Sequence, residues 1–202
     1  MSTSHLLKER YDGAMDYRVY VQLIDQLLEK NQTTGQNQSE QMVEYTRLNR
    51  KRMSRVDKTV FLSSKMISAL EELSQDIIWL VLTESWCGDA AINLPVLSKI
   101  AAASEHIDLR LVLRDENLDL MDEFLTNGAR GIPKLIILNK ESYQPIGTWG
   151  PRPKHAQKMV MDNKANPQKP YSEFVKDVQL WYAKDKGKTL QTEIIDLLEK
   201  VG

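Results

Sequence analysis

Cysteine is almost missing from this chain. Cys87 stands alone among 202 residues, which excludes an internal disulfide framework and favours a reducing compartment. No window approaches the roughly 18 consecutive apolar residues of a membrane-spanning helix. Near the N-terminus, Lys8, Glu9, Arg10 and Asp12 break the apolar segment that a secretory signal needs. A charge imbalance is absent too. The 27 Lys and Arg residues against 28 Asp and Glu leave a net charge of −1, so the whole molecule has no pull toward a polyanion. Histidine is scarce, and His5, His106 and His155 have no ligand-like spacing with Cys87; a protein-only zinc site takes about four N or S donors. There is no Gly-rich phosphate loop, no local Ser-His-Asp signature and no basic–aromatic nucleic-acid motif. These absences predict a soluble cytoplasmic protein without a metal, a nucleic-acid partner or a membrane association.

What is present is periodicity. Tyr20, Leu23, Ile24, Leu27 and Leu28 form one stripe of an amphipathic helix, which ends in the polar, Gly-containing linker "NQTTGQNQSE". The basic stretch "YTRLNRKRMSRVDK" reads as the solvated face of a helix rather than a docking surface for an acidic partner or RNA. Leu62, Met66, Leu70 and Leu73 mark another helix, with Thr59 or Asp57 as its cap. The period then changes. "DIIWLVLT" (76–83) is a β-branched apolar run that suits a strand buried on both faces. "NLPVLSKIAAAS" continues as a helix, "IDLRLVL" (107–113) as a second strand, and "LDLMDEFLTNG" as a helix stopped by Asn127-Gly128. "PKLIIL" and "YQPIGTW" read as strands of a hairpin turning at "NKES". The last third is helical. Val160 and Met161 lie in one stretch, Phe174, Val178 and Trp181 in a second, and Leu190, Ile194, Leu197 and Val201 in a third.

Alternating strands and helices ending in a hairpin define an α/β class with helices on both faces of the sheet. The expected organisation is a helical extension over 1–58, a core domain over 59–160, and C-terminal helices over 161–202 in the same globular unit.

Cys87 follows the buried strand and precedes a helix, where free N–H groups and the positive end of the helix dipole meet an anion. That position lowers a thiol's pKa and makes the sulfur a good leaving group from a mixed disulfide. Gly88 and Asp89 favour an exposed turn over a packed interior. The cysteine is thus read as reactive rather than as a small core residue.

At this point the residues carry a resemblance. "SWCGDA" is similar to the active-site segment of the thioredoxin family, whose familiar form is Trp-Cys-Gly-Pro-Cys. Pro95 matches the proline that kinks that family's active-site helix. "GARGIPKLIIL" (128–138) resembles the Gly-Ile-Pro segment that carries a cis-proline beside the catalytic cysteine. The resemblance spans roughly 59–160 and implies a thioredoxin-like fold with extra N- and C-terminal helices. It also implies a catalytic Cys87 and a substrate-binding set of Trp86, Gly88, Asp89, Ile132 and Pro133, with Ile132 offering backbone groups to an extended peptide.

Two departures belong together. Ala90 stands where the family has its resolving cysteine, and Val81 where it has the buried acid that helps deprotonate that cysteine. Asp89 replaces the usual proline and reads first as electrostatic support of the helix's first turn. Glu84 raises a similar question. Arg114, Asp115 and Asn117, at a strand's end, are candidates for a polar wall. "WGPRP" (149–153) is a rigid turn with Arg152 exposed.

The expected function is thiol–disulfide exchange through one cysteine, serving redox homeostasis. A disulfide-bearing or glutathionylated protein, or a small thiol, would be the partner. No bound cofactor is expected, and an external thiol such as glutathione or bacillithiol would resolve the mixed disulfide. The alternative is a non-catalytic module that binds a peptide or partner. A [2Fe–2S] role like that of single-cysteine glutaredoxins is less favoured, because their Cys-Gly-Phe-Ser tetrapeptide is missing.

Overall fold

The β-branched run behaves as its composition dictates. In the computed structural model, which describes residues 3–201, strand β1 (Ile77–Thr83) is buried at all seven positions. Both of its faces must therefore be covered. β1 pairs in parallel with β2 (Ile107–Leu113), from Ile77 opposite Ile107 to Thr83 opposite Leu113. On its other edge it pairs antiparallel with β3 (Lys134–Asn139), which forms a hairpin with β4 (Pro145–Trp149). The sheet order is β2-β1-β3-β4.

Helix α5 (Ala90–Ala101) links β1 to β2, and the short α6 (Leu118–Glu123) lies between β2 and β3. At the N-terminus, α1 (Thr3–Asp12), α2 (Tyr17–Glu29), α3 (Glu40–Thr59) and α4 (Ser64–Glu72) precede the sheet. At the C-terminus, α7 (Lys154–Ala165), α8 (Tyr171–Asp185) and α9 (Lys188–Val201) follow it. The added helices share the main core. Leu7, Tyr20, Ile24 and Met53 from the front, and Leu190, Ile194 and Leu198 from the back, join β1, β2, β3 and α5 in one cluster. Fully burying each Leu, Ile or Met side chain among them stabilises by about 1.5–3 kcal/mol. A smaller cluster joins Ile92 of α5 to Ala156 of α7 and to Phe174, Val178 and Tyr182 of α8.

Several local expectations change. The basic segment forms one helix running through Thr59, so neither Asp57 nor Thr59 caps α4; the Ser63 hydroxyl does, accepting from the Met66 N–H. Nor is α3 simply solvated, since Val43, Thr46, Asn49 and Met53 form a buried face. The stop at Asn127-Gly128 is not a helix end: α6 finishes at Glu123, and the pair occupies a left-handed turn bridging Thr126 and Ala129. In α8, Tyr182 is buried and Trp181 only partly so.

The segment read as a linker does more than connect. Thr33 and Thr34 are buried, and their hydroxyls join those of Thr46 and Ser85 in one hydrogen-bonded group. Thr34 also accepts from the Ser85 N–H at 2.9 Å. Buried hydroxyls bonded to one another avoid the cost of lost water contacts, and so a polar loop can sit inside.

Candidate functional site

β1 leads into the turn Glu84-Ser85-Trp86-Cys87, and α5 starts at Ala90, after Gly88 and Asp89. The turn is fixed from both sides. The Cys87 N–H donates to the Glu84 carbonyl at 3.2 Å, and the Cys87 carbonyl accepts from Ala91 at 3.1 Å. Asn49 of α3 donates to the Ser85 carbonyl at 3.0 Å. Opposite stands the loop that enters β3, where the Ile132–Pro133 peptide is cis. The Cys87 thiol donates to the Ile132 carbonyl at 3.3 Å. That carbonyl, expected to face a substrate peptide, is occupied by the thiol.

A second loop supports the first. Gly150–Pro151 is also cis, and a Cβ on Gly150 would stand 2.2 Å from the Pro133 carbonyl oxygen, with φ at +113°. Only glycine fits there. Pro151 in turn packs on Gly131, where an added Cβ would come within 3.0 Å of the Pro151 ring. The loop thereby carries Arg152 to Asp89, and the two form an ion pair at 2.7 Å between Nη2 and Oδ2. Arg152 is thus a site residue rather than an exposed turn residue. Tyr182 of α8 donates to the other Asp89 oxygen at 2.9 Å, and Asn93 donates to the Asp89 carbonyl at 2.9 Å. Asp89 makes no side-chain capping bond to α5, so its work is not that of an ordinary helix cap.

The electrostatics reverse the expectation for the sulfur. Cys87 is buried, and burial, followed by the Asp89 charge, pushes its thiol up to about 12. The N–H groups of Ala90 and Asp89 and the Arg152 charge oppose this rise and lose. The helix mouth does favour the anion, but a sulfur withdrawn from water pays more than the dipole returns. Burial also raises the Asp89 carboxyl, while Arg152 and Tyr182 pull it down.

Upstream, Glu84 is completely buried. Its Oε1 accepts from the Asp115 N–H at 2.9 Å, and its Oε2 has no hydrogen-bond partner among the described residues. Burial raises its pKa against the opposing Thr34 hydroxyl and Asp115 N–H. Trp86 is half-buried under the Arg114 guanidinium, 4.9 Å from the ring centre. Gly35, with φ at +78°, fits beside both; a Cβ there would lie 2.5 Å from Asp115 Oδ2 and 3.4 Å from Trp86 Nε1. Asn117 bonds back to Leu113 and serves its own loop.

The structure therefore gathers Trp86, Cys87, Gly88, Asp89, Ile132 and Pro133 around one turn. It adds Glu84 and Arg152, which the sequence raised only as secondary candidates, and Thr33, Thr34, Asn49, Asn93 and Tyr182, which no local motif announced. The histidines lie elsewhere: His106 binds Asp76 and His155 stacks on Trp181. Among the described residues no group of three or more His, Cys, Asp or Glu side chains is placed to hold a metal ion. No described helix is long and apolar enough to cross a membrane.

Comparison with known proteins places the chain in a family. The family model described as thioredoxin matches residues 35–167, about two thirds of the sequence, and the chain belongs to that family. A solved protein of unknown function from Pseudomonas aeruginosa is 19% identical, with a TM-score of 0.67 over 96% of this chain and 98% of its own. An HIV epitope-scaffold is 16% identical, with a TM-score of 0.55 over 87% of this chain and 96% of its own. Both share the fold. No curated protein matches the chain.

Proposed function

We propose that this chain is a thioredoxin-fold protein acting through Cys87 alone, in a reducing compartment such as the cytoplasm. The observation that carries the reading is the position of the sulfur, at the start of α5 and 3.3 Å from the carbonyl preceding cis Pro133. The thiol is protonated at rest, so exchange follows an opening that moves Cys87 off the Ile132 carbonyl. The thiolate then attacks a disulfide R–S–S–R′. A bond from Sγ to RS forms, the S–S bond breaks, and R′S⁻ leaves and takes up the proton released by Cys87. With Ala90 in the resolving position, a second thiol must come from outside, from glutathione, bacillithiol or a partner's cysteine. Its sulfur attacks the RS sulfur of the mixed disulfide, a new disulfide forms between them, the bond to Sγ breaks, and Cys87 takes up the attacking thiol's proton. The substrate is a disulfide-bearing or glutathionylated protein or a small disulfide, and the role is in redox homeostasis.

A second reading, a binding module without turnover, is favoured by one observation: the thiol pushed up to about 12. Incubation with oxidised glutathione, followed by intact-mass measurement, separates the two. The thiol reading expects one added glutathione on wild type and none on Cys87→Ser. A chain that stays unmodified at neutral pH while still binding its partner supports the module and overturns exchange.

A further inference from the structure

Helix α3 carries cations on two faces, and the fold treats them differently. Arg47 is bonded to Glu44 at 3.1 Å and Arg50 to Asp25 at 2.7 Å. Around the helix, no carboxylate lies within ion-pair distance of Lys51, Arg52 or Arg55 among the described residues. Arg52 is half-buried and, among the described residues, its side chain bonds only to Asn49 Oδ1, at 3.0 Å. Burial and the neighbouring Arg55 act against its charge, and the Asp89 charge, already paired with Arg152, offsets them only in part. Half-withdrawing an arginine from water beside another arginine is unfavourable unless an anion answers them.

The space beside these cations is open. A cavity of about 290 Å³ between α3, α5 and α8 has Arg55, Ile92, Tyr182 and Lys186 in its walls. An adjoining groove of about 420 Å³ adds Leu48, Lys51, Arg52 and Leu180. Leu48 and Leu180 are large apolar side chains left exposed, as is Tyr45 one turn before Leu48. The groove reaches the cysteine turn, since a Cβ on Gly88 would lie 3.5 Å from Arg52 Nη1. Tyr45, Leu48, Arg52 and Arg55 follow one helical face over about 15 Å, at 1.5 Å per residue. That is too long for a small thiol and suits four or five residues of extended peptide at about 3.3 Å each. Apolar aliphatic side chains between the cations suit a peptide better than a single-stranded nucleic acid, whose bases ask for a row of stacking aromatics.

We propose that the α3–α8 groove beside Gly88 docks an acidic peptide segment of a protein partner, with Lys51, Arg52 and Arg55 receiving its carboxylates and Leu48 and Leu180 its apolar side chains. The assignment concerns binding and stands apart from chemistry at Cys87. Where Cys87 does form mixed disulfides, the groove deepens that reading by selecting proteins with acidic residues near the disulfide.

Fluorescence anisotropy of a labelled peptide of alternating Glu and Leu, titrated with the full chain, tests it. The R52Q/R55Q double variant is expected to weaken binding about tenfold, and added salt to weaken the wild type. Replacing the peptide's Glu by Gln should abolish binding. Because Arg52 touches Asn49, a K51Q/R55Q variant serves as the second test, with thermal unfolding as the folding control. Undiminished affinity in K51Q/R55Q overturns the proposal. Equal displacement by free glutarate makes the groove a small-anion site and overturns it too. Tighter binding of a labelled oligonucleotide does the same. The peptide should bind Cys87→Ser as it binds wild type, so failure of thiol exchange leaves this result standing.

Discussion

Two carboxylates flank the sulfur in sequence, Glu84 before it and Asp89 after it, and they are housed in opposite ways. Asp89 has Arg152 at 2.7 Å and the Tyr182 hydroxyl at 2.9 Å. Glu84 has one backbone N–H, the nearby Thr34 hydroxyl and an oxygen with no hydrogen-bond partner among the described residues. Burial raises both carboxyls, but Asp89 has a cation and a hydroxyl in contact to support its charge, whereas Glu84 has no cation in contact and bears more of the desolvation cost when charged. The first imposes a negative charge on Cys87, and the second costs stability whenever it is charged.

The comparison is broken most severely at Arg152. Arg152→Gln leaves Asp89 buried without its cation and should cost about 3 kcal/mol in chemical denaturation. Asp89→Asn in the same chain should restore part of that loss; no restoration would mean that Arg152 acts through packing. Asp89→Asn alone removes the like charge from the sulfur, and iodoacetamide should then label Cys87 about fivefold or more faster at about pH 8. Glu84→Gln should leave that labelling rate unchanged.

Glu84→Gln sharpens the contrast through stability, which should rise by about 1 kcal/mol at neutral pH. Glu84's pKa is raised by folding, so the wild type is more stable below that pKa and loses the advantage as pH rises through it. The benefit of the substitution should therefore shrink on acidification; a benefit constant with pH would show that charge is not its source. The smallest signal is the thiol's own titration. Held near 12 against an ordinary 9.0, it contributes stability that is complete below the ordinary value and lost as pH rises toward 12. Thiolate absorbance should stay low through the ordinary range near 9 and rise only as pH approaches 12, and its appearance near neutrality would contradict the buried sulfur.

What the sequence disclosed follows from how local each signal is. β1 was legible because a run of β-branched residues has few other homes. Cys87 and Pro133 were legible because each sits in a short motif tied to one backbone geometry. The partners of Asp89 were not, since Arg152 and Tyr182 lie 63 and 93 residues away in sequence and no spacing rule connects them. Thr33 and Thr34 look like loop by composition, and composition does not say whether hydroxyls will find each other. The thiol's pKa was misjudged for a physical reason: the helix dipole is readable from the order of elements, but depth of burial emerges only when distant helices close over the turn.

One of those helices lies outside the stretch that defines the family. Tyr182 comes after residue 167, where the family match ends, yet its hydroxyl reaches the aspartate two places beyond the cysteine. The temperament of the sulfur is thus written partly by a tail. A chain with the same turn letter for letter, but another C-terminal attachment, is expected to own a different thiol.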